Sequence, residues 1–148
     1  MRIGEMLLAR GHIDEIQLAS ALAHQRQSGR RLGHSLVSLG YVTESVFLAT
    51  LAVQLSVPFV VIGDRMVPPS VWRLLPEKLL RSRRIFPLGI HSKSKRGELL
   101  IALSQPDDLA VLDEVAFVTG RTVRPVLAAE ADIERALARH LERAPTYN

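Results

Sequence analysis

The 148-residue sequence contains no cysteine. This excludes disulfides, thiolate metal sites and a cysteine nucleophile, and with them the small secreted scaffold held by cross-links. Long apolar runs are missing as well: a stretch such as 58–62 is far short of the roughly 20 residues a membrane span requires. The opening Met1-Arg2-Ile3-Gly4-Glu5 lacks the charged-then-apolar layout of a signal peptide, so a cytoplasmic chain is expected. No GxxxxGK[ST] phosphate loop and no HExxH occurs, and none of the five histidines has metal-ligand spacing with another histidine or a carboxylate. Neither an enzyme, a metal site nor a cofactor is therefore expected. Lysine is scarce, present only at Lys78, Lys93 and Lys95, so nearly all of the net charge of +4 rests on arginine. With a single asparagine, Asn148, that bias fits genome composition as well as an anionic partner. What remains, 47% hydrophobic and 23% charged residues, is the composition of a globular protein.

The most informative feature is an internal repeat, because a fixed period governs every later reading. Residues 2–25 read RIGEMLLARGHIDEIQLASALAHQ, and residues 31–54 read RLGHSLVSLGYVTESVFLATLAVQ, with five residues between them. Superposed, they pair Arg2 with Arg31, Gly4 with Gly33, Leu7 with Leu36, Gly11 with Gly40, Leu22 with Leu51 and Gln25 with Gln54. Ile3 with Leu32, Leu8 with Val37, Ile13 with Val42 and Leu18 with Phe47 are conservative pairs.

Each copy reads as a helical hairpin. Ile3, Met6, Leu7 and Arg10 have helical spacing, and Gly11 stands where a left-handed C-terminal cap is wanted. Asp14 with Gln17 three residues on is a capping-box pattern, and Gly29 ends the helix that follows. In the second copy Gly40 is the stop and Thr43 the N-cap, with Val46 in place of the box partner. A duplicated helix pair with a leucine core accounts for the apolar positions. It does not account for arginine before each first helix, glycine two residues later and glutamine at the end of each second helix. Arginine at a helix start opposes the macrodipole. Glycine there lets a ligand approach the backbone and its free N–H groups. Arginine can fork onto the O6/N7 edge of guanine or stack on a purine, and glutamine offers both a donor and an acceptor. Two copies related by a two-fold would suit a symmetric, partly apolar, anionic ligand.

These residues resemble, in register and in both copies, the tandem motif RLGxxLxxxGxxxxxxLxxxLxxQ of the MshEN domain, the N-terminal domain of assembly ATPases of type II secretion and type IV pilus systems. The resemblance implies a sensor or regulatory domain that binds cyclic di-GMP. It implies that Arg2 and Arg31 engage guanine or phosphate, that Gly4 and Gly33 permit close approach, and that Gln25 and Gln54 bond or frame the ligand. Ile3, Leu7, Leu8, Leu18 and Leu22, with Leu32, Leu36, Val37, Phe47 and Leu51, would form the apolar bed. Phe47, where the motif has leucine, could stack on a base or narrow the pocket.

From Pro58 onward short β-like runs alternate with helices, which gives an α+β chain: an all-α subdomain of four helices over 1–57, then a small α/β subdomain with about four strands over 58–148. Strands are expected at 58–62, 84–90, 98–103 and 122–127, and helices at 68–75, from 76, at 107–119 and at 129–141. Lys93, Lys95 and Arg96 fall in a hairpin loop, most simply a solvated tip, and Trp72 is expected in the core or at a subdomain interface. This half also resembles the family, which usually has aspartate before the proline in the loop at 104–108. Gln105 stands there instead, leaving Asp108 as that loop's ligand candidate.

The expected partners are cyclic di-GMP and an assembly ATPase domain or inner-membrane assembly protein. The alternative is a docking module for such a membrane partner without nucleotide, which would have no reason to keep both Arg-x-Gly and Gln sets. A nucleic-acid polymer is disfavoured: residues 1–57 carry five arginines and four acids, not a basic face.

Overall fold

In the structure, a computed structural model that describes residues 2–91, 97–105 and 109–142, the expected capping box is formed. Asp14 accepts from the Gln17 N–H at 2.7 Å, and the Gln17 side chain accepts from the Asp14 N–H at 2.9 Å. At Thr43 only half of the device exists: its Oγ1 accepts from the Val46 N–H at 3.1 Å, and valine has nothing to return. The first compact unit, Met1–Val57, contains α1 (Ile3–Ala9), α2 (Glu15–Ser28), α3 (Leu32–Ser38) and α4 (Glu44–Leu55). Helices α1 and α3 end alike. Gly11 (φ 76°) donates to the Leu8 carbonyl and His12 to that of Leu7, while Gly40 (φ 77°) donates to Val37 and Tyr41 to Leu36. These are two Schellman motifs, a geometry that strongly favours glycine at the left-handed position.

The helices do not pack as two independent hairpins. The larger contacts are α2 with α3 and α1 with α4, so each first helix lies on the second helix of the other copy. Exchanging the copies exchanges these two pairings, as a two-fold relation requires. Leu7, Ile13, Ala21, Leu36 and Val42 form the buried centre.

The second compact unit, Pro58–Asn148, contains α5 (Pro69–Trp72), α6 (Glu77–Arg83), β1 (Phe86–His91), β2 (Glu98–Leu103), α7 (Leu109–Thr119), β3 (Thr122–Leu127) and α8 (Glu130–Glu142). The chain is thus α+β. Its sheet has the order β1-β2-β3, with β1 antiparallel and β3 parallel to β2, the parallel step being made through α7. Pro87 and Pro125 lie on the two edge strands, where a missing N–H is tolerated. Helices pack on a core that includes Leu80, Ile85, Phe86, Leu99, Ile101, Val111, Val115 and Ile133, with Trp72 half-buried against it.

Two expectations need correction. The sheet has three strands among the described residues: the run at 58–62 makes one isolated bridge, Phe59 with Leu127. Pairing stops there because Asp132 of α8 takes the next N–H groups, Ile62 donating to Oδ2 at 2.6 Å and Gly63 to Oδ1 at 3.1 Å. The helix expected over 68–75 shrinks to Pro69–Trp72, since Pro76 disfavours helical backbone at Leu75. The loop residues Lys93, Lys95, Arg96, Asp107 and Asp108 lie outside the described residues.

Candidate functional site

The residues that the repeat singles out all lie in the first unit; Asp108, the candidate from the loop at 104–108, lies outside the described residues. Arg2 and Arg31 are the N-cap residues of α1 and α3, with nearly identical backbone angles (φ −73°, ψ 153° and φ −70°, ψ 156°), and neither caps its helix through its side chain. Both are exposed. A cation at a helix start stands on the unfavourable side of the helix dipole. Gln25 is half-buried near the end of α2, and Gln54 is exposed near the end of α4.

The apolar positions divide. Leu7 and Leu36 have no exposed surface; they are the centre of the unit and offer a ligand nothing as they stand. Ile3, Leu8, Leu18, Leu32, Val37 and Phe47 are half-buried and packed around that centre. Leu51 is also half-buried, and Leu22 is 38% exposed. These outer positions hold the apolar surface that could meet a flat ligand.

Gly4 and Gly33 are buried because neighbours occupy the space a side chain would take. A Cβ placed on Gly33 would lie 2.2, 2.5 and 2.8 Å from Cζ, Cε2 and Cε1 of Phe47. On Gly4 it would lie 2.9 Å from Leu18 Cδ1 and 3.2 Å from Leu32 Cδ2. The expected free approach to these two backbone positions is therefore closed from the Cβ side. The residue fourteen positions on packs closely at both, and most tightly at Gly33, where that residue is the rigid ring of Phe47.

Sequence reasoning missed the polar ties between the copies. Ser20 and Tyr41 share a hydrogen bond of 2.9 Å between hydroxyls, and His24 Nδ1 shares one of 2.9 Å with the hydroxyl of the buried Ser35. Their signal is faint: Ser20 and His24 stand four apart, on one face of α2. Neither pair has a counterpart under the repeat, so these bonds fix α2 on α3 without a matching set between α4 and α1.

In the second unit a cavity of about 250 Å³ is lined by Arg83, Arg84, Leu103, Ser104, Gln105 and Glu130 among others. Its cations are already engaged: Arg83 pairs with Glu114 and Arg84 with Glu130 and Glu134. The hydrogen bond to Glu130, then the charges of Glu130 and Glu134, raise the Arg84 guanidinium above its ordinary pKa. Among the described residues no group of three His, Asp or Glu is placed to hold a metal ion. No helix among them is long and apolar enough to cross a membrane.

Comparison with known proteins places these features in context. The MshEN domain model matches residues 55–146, which is the second unit and not the tandem motif. Whole-chain similarity covers both. A structure of MshE with cdg is 34% identical, with a TM-score of 0.77, over 94% of this chain and 98% of that one. The N-terminal domain of XpsE is 27% identical with a TM-score of 0.66, over 93% of this chain and 92% of that one. The type IV pilus assembly ATPase PilB of Myxococcus xanthus is 30% identical over 146 residues, 98% of this chain but 25% of the relative. PilB of Thermus thermophilus is 29% identical over 139 residues, 94% of this chain and 15% of the relative. The chain thus spans a quarter or less of the curated relatives it matches.

Proposed function

The chain belongs to the MshEN domain family, and from that premise we propose that it is a non-catalytic sensor domain that binds cyclic di-GMP and regulates a type II secretion or type IV pilus assembly ATPase. The observation that carries this reading is the pairing of Arg2 and Arg31. Both are exposed, both cap a seven-residue helix with the same backbone geometry, and they sit at equivalent places in two copies packed with two-fold character. Cyclic di-GMP is itself two-fold symmetric, with two guanines and two phosphates, so one arginine per half matches its charge and its guanine edges. The half-buried apolar residues of each copy supply area for a base.

Binding would bridge the two copies. The α1–α4 and α2–α3 contacts would tighten together, and the shifted population would pass to a neighbouring ATPase domain. That MshE has been solved with cdg supports the choice of ligand.

Isothermal titration with cyclic di-GMP, with GTP and a linear dinucleotide as controls, tests the reading. Wild-type protein is expected to bind the cyclic ligand selectively. Arg31→Ala should weaken binding at least ~10-fold, the scale of one lost bidentate guanine contact, with thermal stability nearly unchanged. No heat from folded wild-type protein at high concentration would refute the sensor role. If Arg31→Ala unfolds the domain instead, the arginine is structural.

A further inference from the structure

Resting on the cyclic di-GMP reading, we infer that Phe47 makes the two half-sites unequal and determines the specificity of the second: one base meets an aromatic wall there, and the other meets an aliphatic wall at Leu18. The two positions are equivalent in the backbone. Leu18 donates to the Asp14 carbonyl at 3.0 Å and Phe47 to the Thr43 carbonyl at 3.0 Å, each in the first turn of its helix. Each side chain also fills the notch left by its own copy's motif glycine.

The filling differs in kind. At Gly4 the notch is shared by the methyl ends of Leu18 and Leu32, whereas at Gly33 its three nearest atoms all belong to the tip of the Phe47 ring. The ring is therefore held at both ends, by its own Cβ and by the notch into which its tip fits. It remains half-buried, so part of its surface stays accessible, in the same copy of the repeat as the exposed Arg31. A ring already fixed loses little conformational freedom when a base stacks on it. Stacking on an aromatic face is the common way proteins hold a nucleobase. Leucine in the equivalent place gives apolar contact without a π-face. The same geometry excludes tyrosine as a neutral replacement, because its hydroxyl would extend from Cζ into Gly33.

The test compares wild type with Phe47→Leu, which installs the residue the first copy uses, and with Phe47→Met as a second ring-free variant. Calorimetry should show affinity for cyclic di-GMP falling ~3- to 10-fold in both variants, part of the worth of one stacked base. Isotope-filtered NMR of labelled ligand should show one guanine H8 shifted upfield in the wild-type complex, and that shift should vanish in the variants. A purely structural role for the ring would leave no such ring-current signature. Wild-type protein that binds no cyclic di-GMP overturns the ligand reading and this inference with it. Wild type that binds, with variants equal within twofold or tighter and no upfield shift, overturns the role of Phe47 alone.

Discussion

Replacing Gly33 by alanine puts the packing of the repeat to a quantitative test. The new methyl carbon would sit 2.2 Å from Phe47 Cζ and 2.5 and 2.8 Å from the adjoining ring carbons, where comfortable carbon–carbon contact is about 3.5–4.0 Å. The ring must retreat by about 1 Å or more, and as a rigid plate it retreats as a whole, into a packed neighbourhood. Overpacking of this kind costs about 1–3 kcal/mol, and the better helix propensity of alanine returns up to about 1 kcal/mol. A net loss of about 1–2 kcal/mol is expected, which lowers the midpoint of a unit this small by roughly 5–15 °C. Gly4→Ala is the internal control. Its methyl would meet only the ends of Leu18 and Leu32, at 2.9 and 3.2 Å, which can yield by small rotations, so its stability should stay within about 0.5 kcal/mol of wild type. Urea unfolding followed by circular dichroism, with hydrogen exchange of the α1–α4 amides to assign the loss, measures both. In a Phe47→Leu background the alanine should cost at least about 1 kcal/mol less, a coupling readable from the double-mutant cycle. Equal effects at Gly4 and Gly33, or additive effects of Gly33→Ala and Phe47→Leu, would refute the reasoning.

Two further outcomes concern positions where the backbone is held or strained. Asp132→Ala removes the acceptor of two N–H groups, those of Ile62 and Gly63, and should destabilise the second unit by about 2–4 kcal/mol; native-state hydrogen exchange should accelerate at Ile62 and Gly63 before the sheet, and unchanged protection there would count against it. Ser56 closes α4 at φ 57°, a left-handed position, so Ser56→Gly should raise stability by up to about 1 kcal/mol in urea titrations. A loss of stability would mean that the Ser56 side chain contributes more than its backbone strain costs.

The parts of the molecule legible in the sequence are those set by neighbours along the chain. The Asp14 box, the turns at Gly11 and Gly40 and the end at Gly29 all involve partners within five residues, so local chemistry decides them. Burial within the repeat was harder to read: α1 and α3 are two turns long, and periodicity over two turns does not separate the interior Leu7 and Leu36 from the half-buried Leu8 and Val37. The packing of Phe47 on Gly33 is a contact between helices, invisible to spacing alone. At 58–62 β-propensity pointed to a strand, and a carboxylate seventy residues away diverted the backbone. The cross-packing of the two copies left no local mark, because the same leucines would serve two separate hairpins.

The bonds from α8 to the start of the second unit also set an order in time. Ile62 and Gly63 wait for Asp132, Val67 donates to His140 Nε2 at 2.8 Å, and the Arg65 carbonyl accepts from Arg139 at 2.8 Å. During vectorial synthesis the first of these segments is made early and secured last, since about 75 residues separate Val67 from the end of α8 and at 5–20 residues per second they take about 4–15 s to appear. For that interval the stretch from Pro58 to Val67 carries its apolar residues on a ribosome-bound chain without the helix that will fix them.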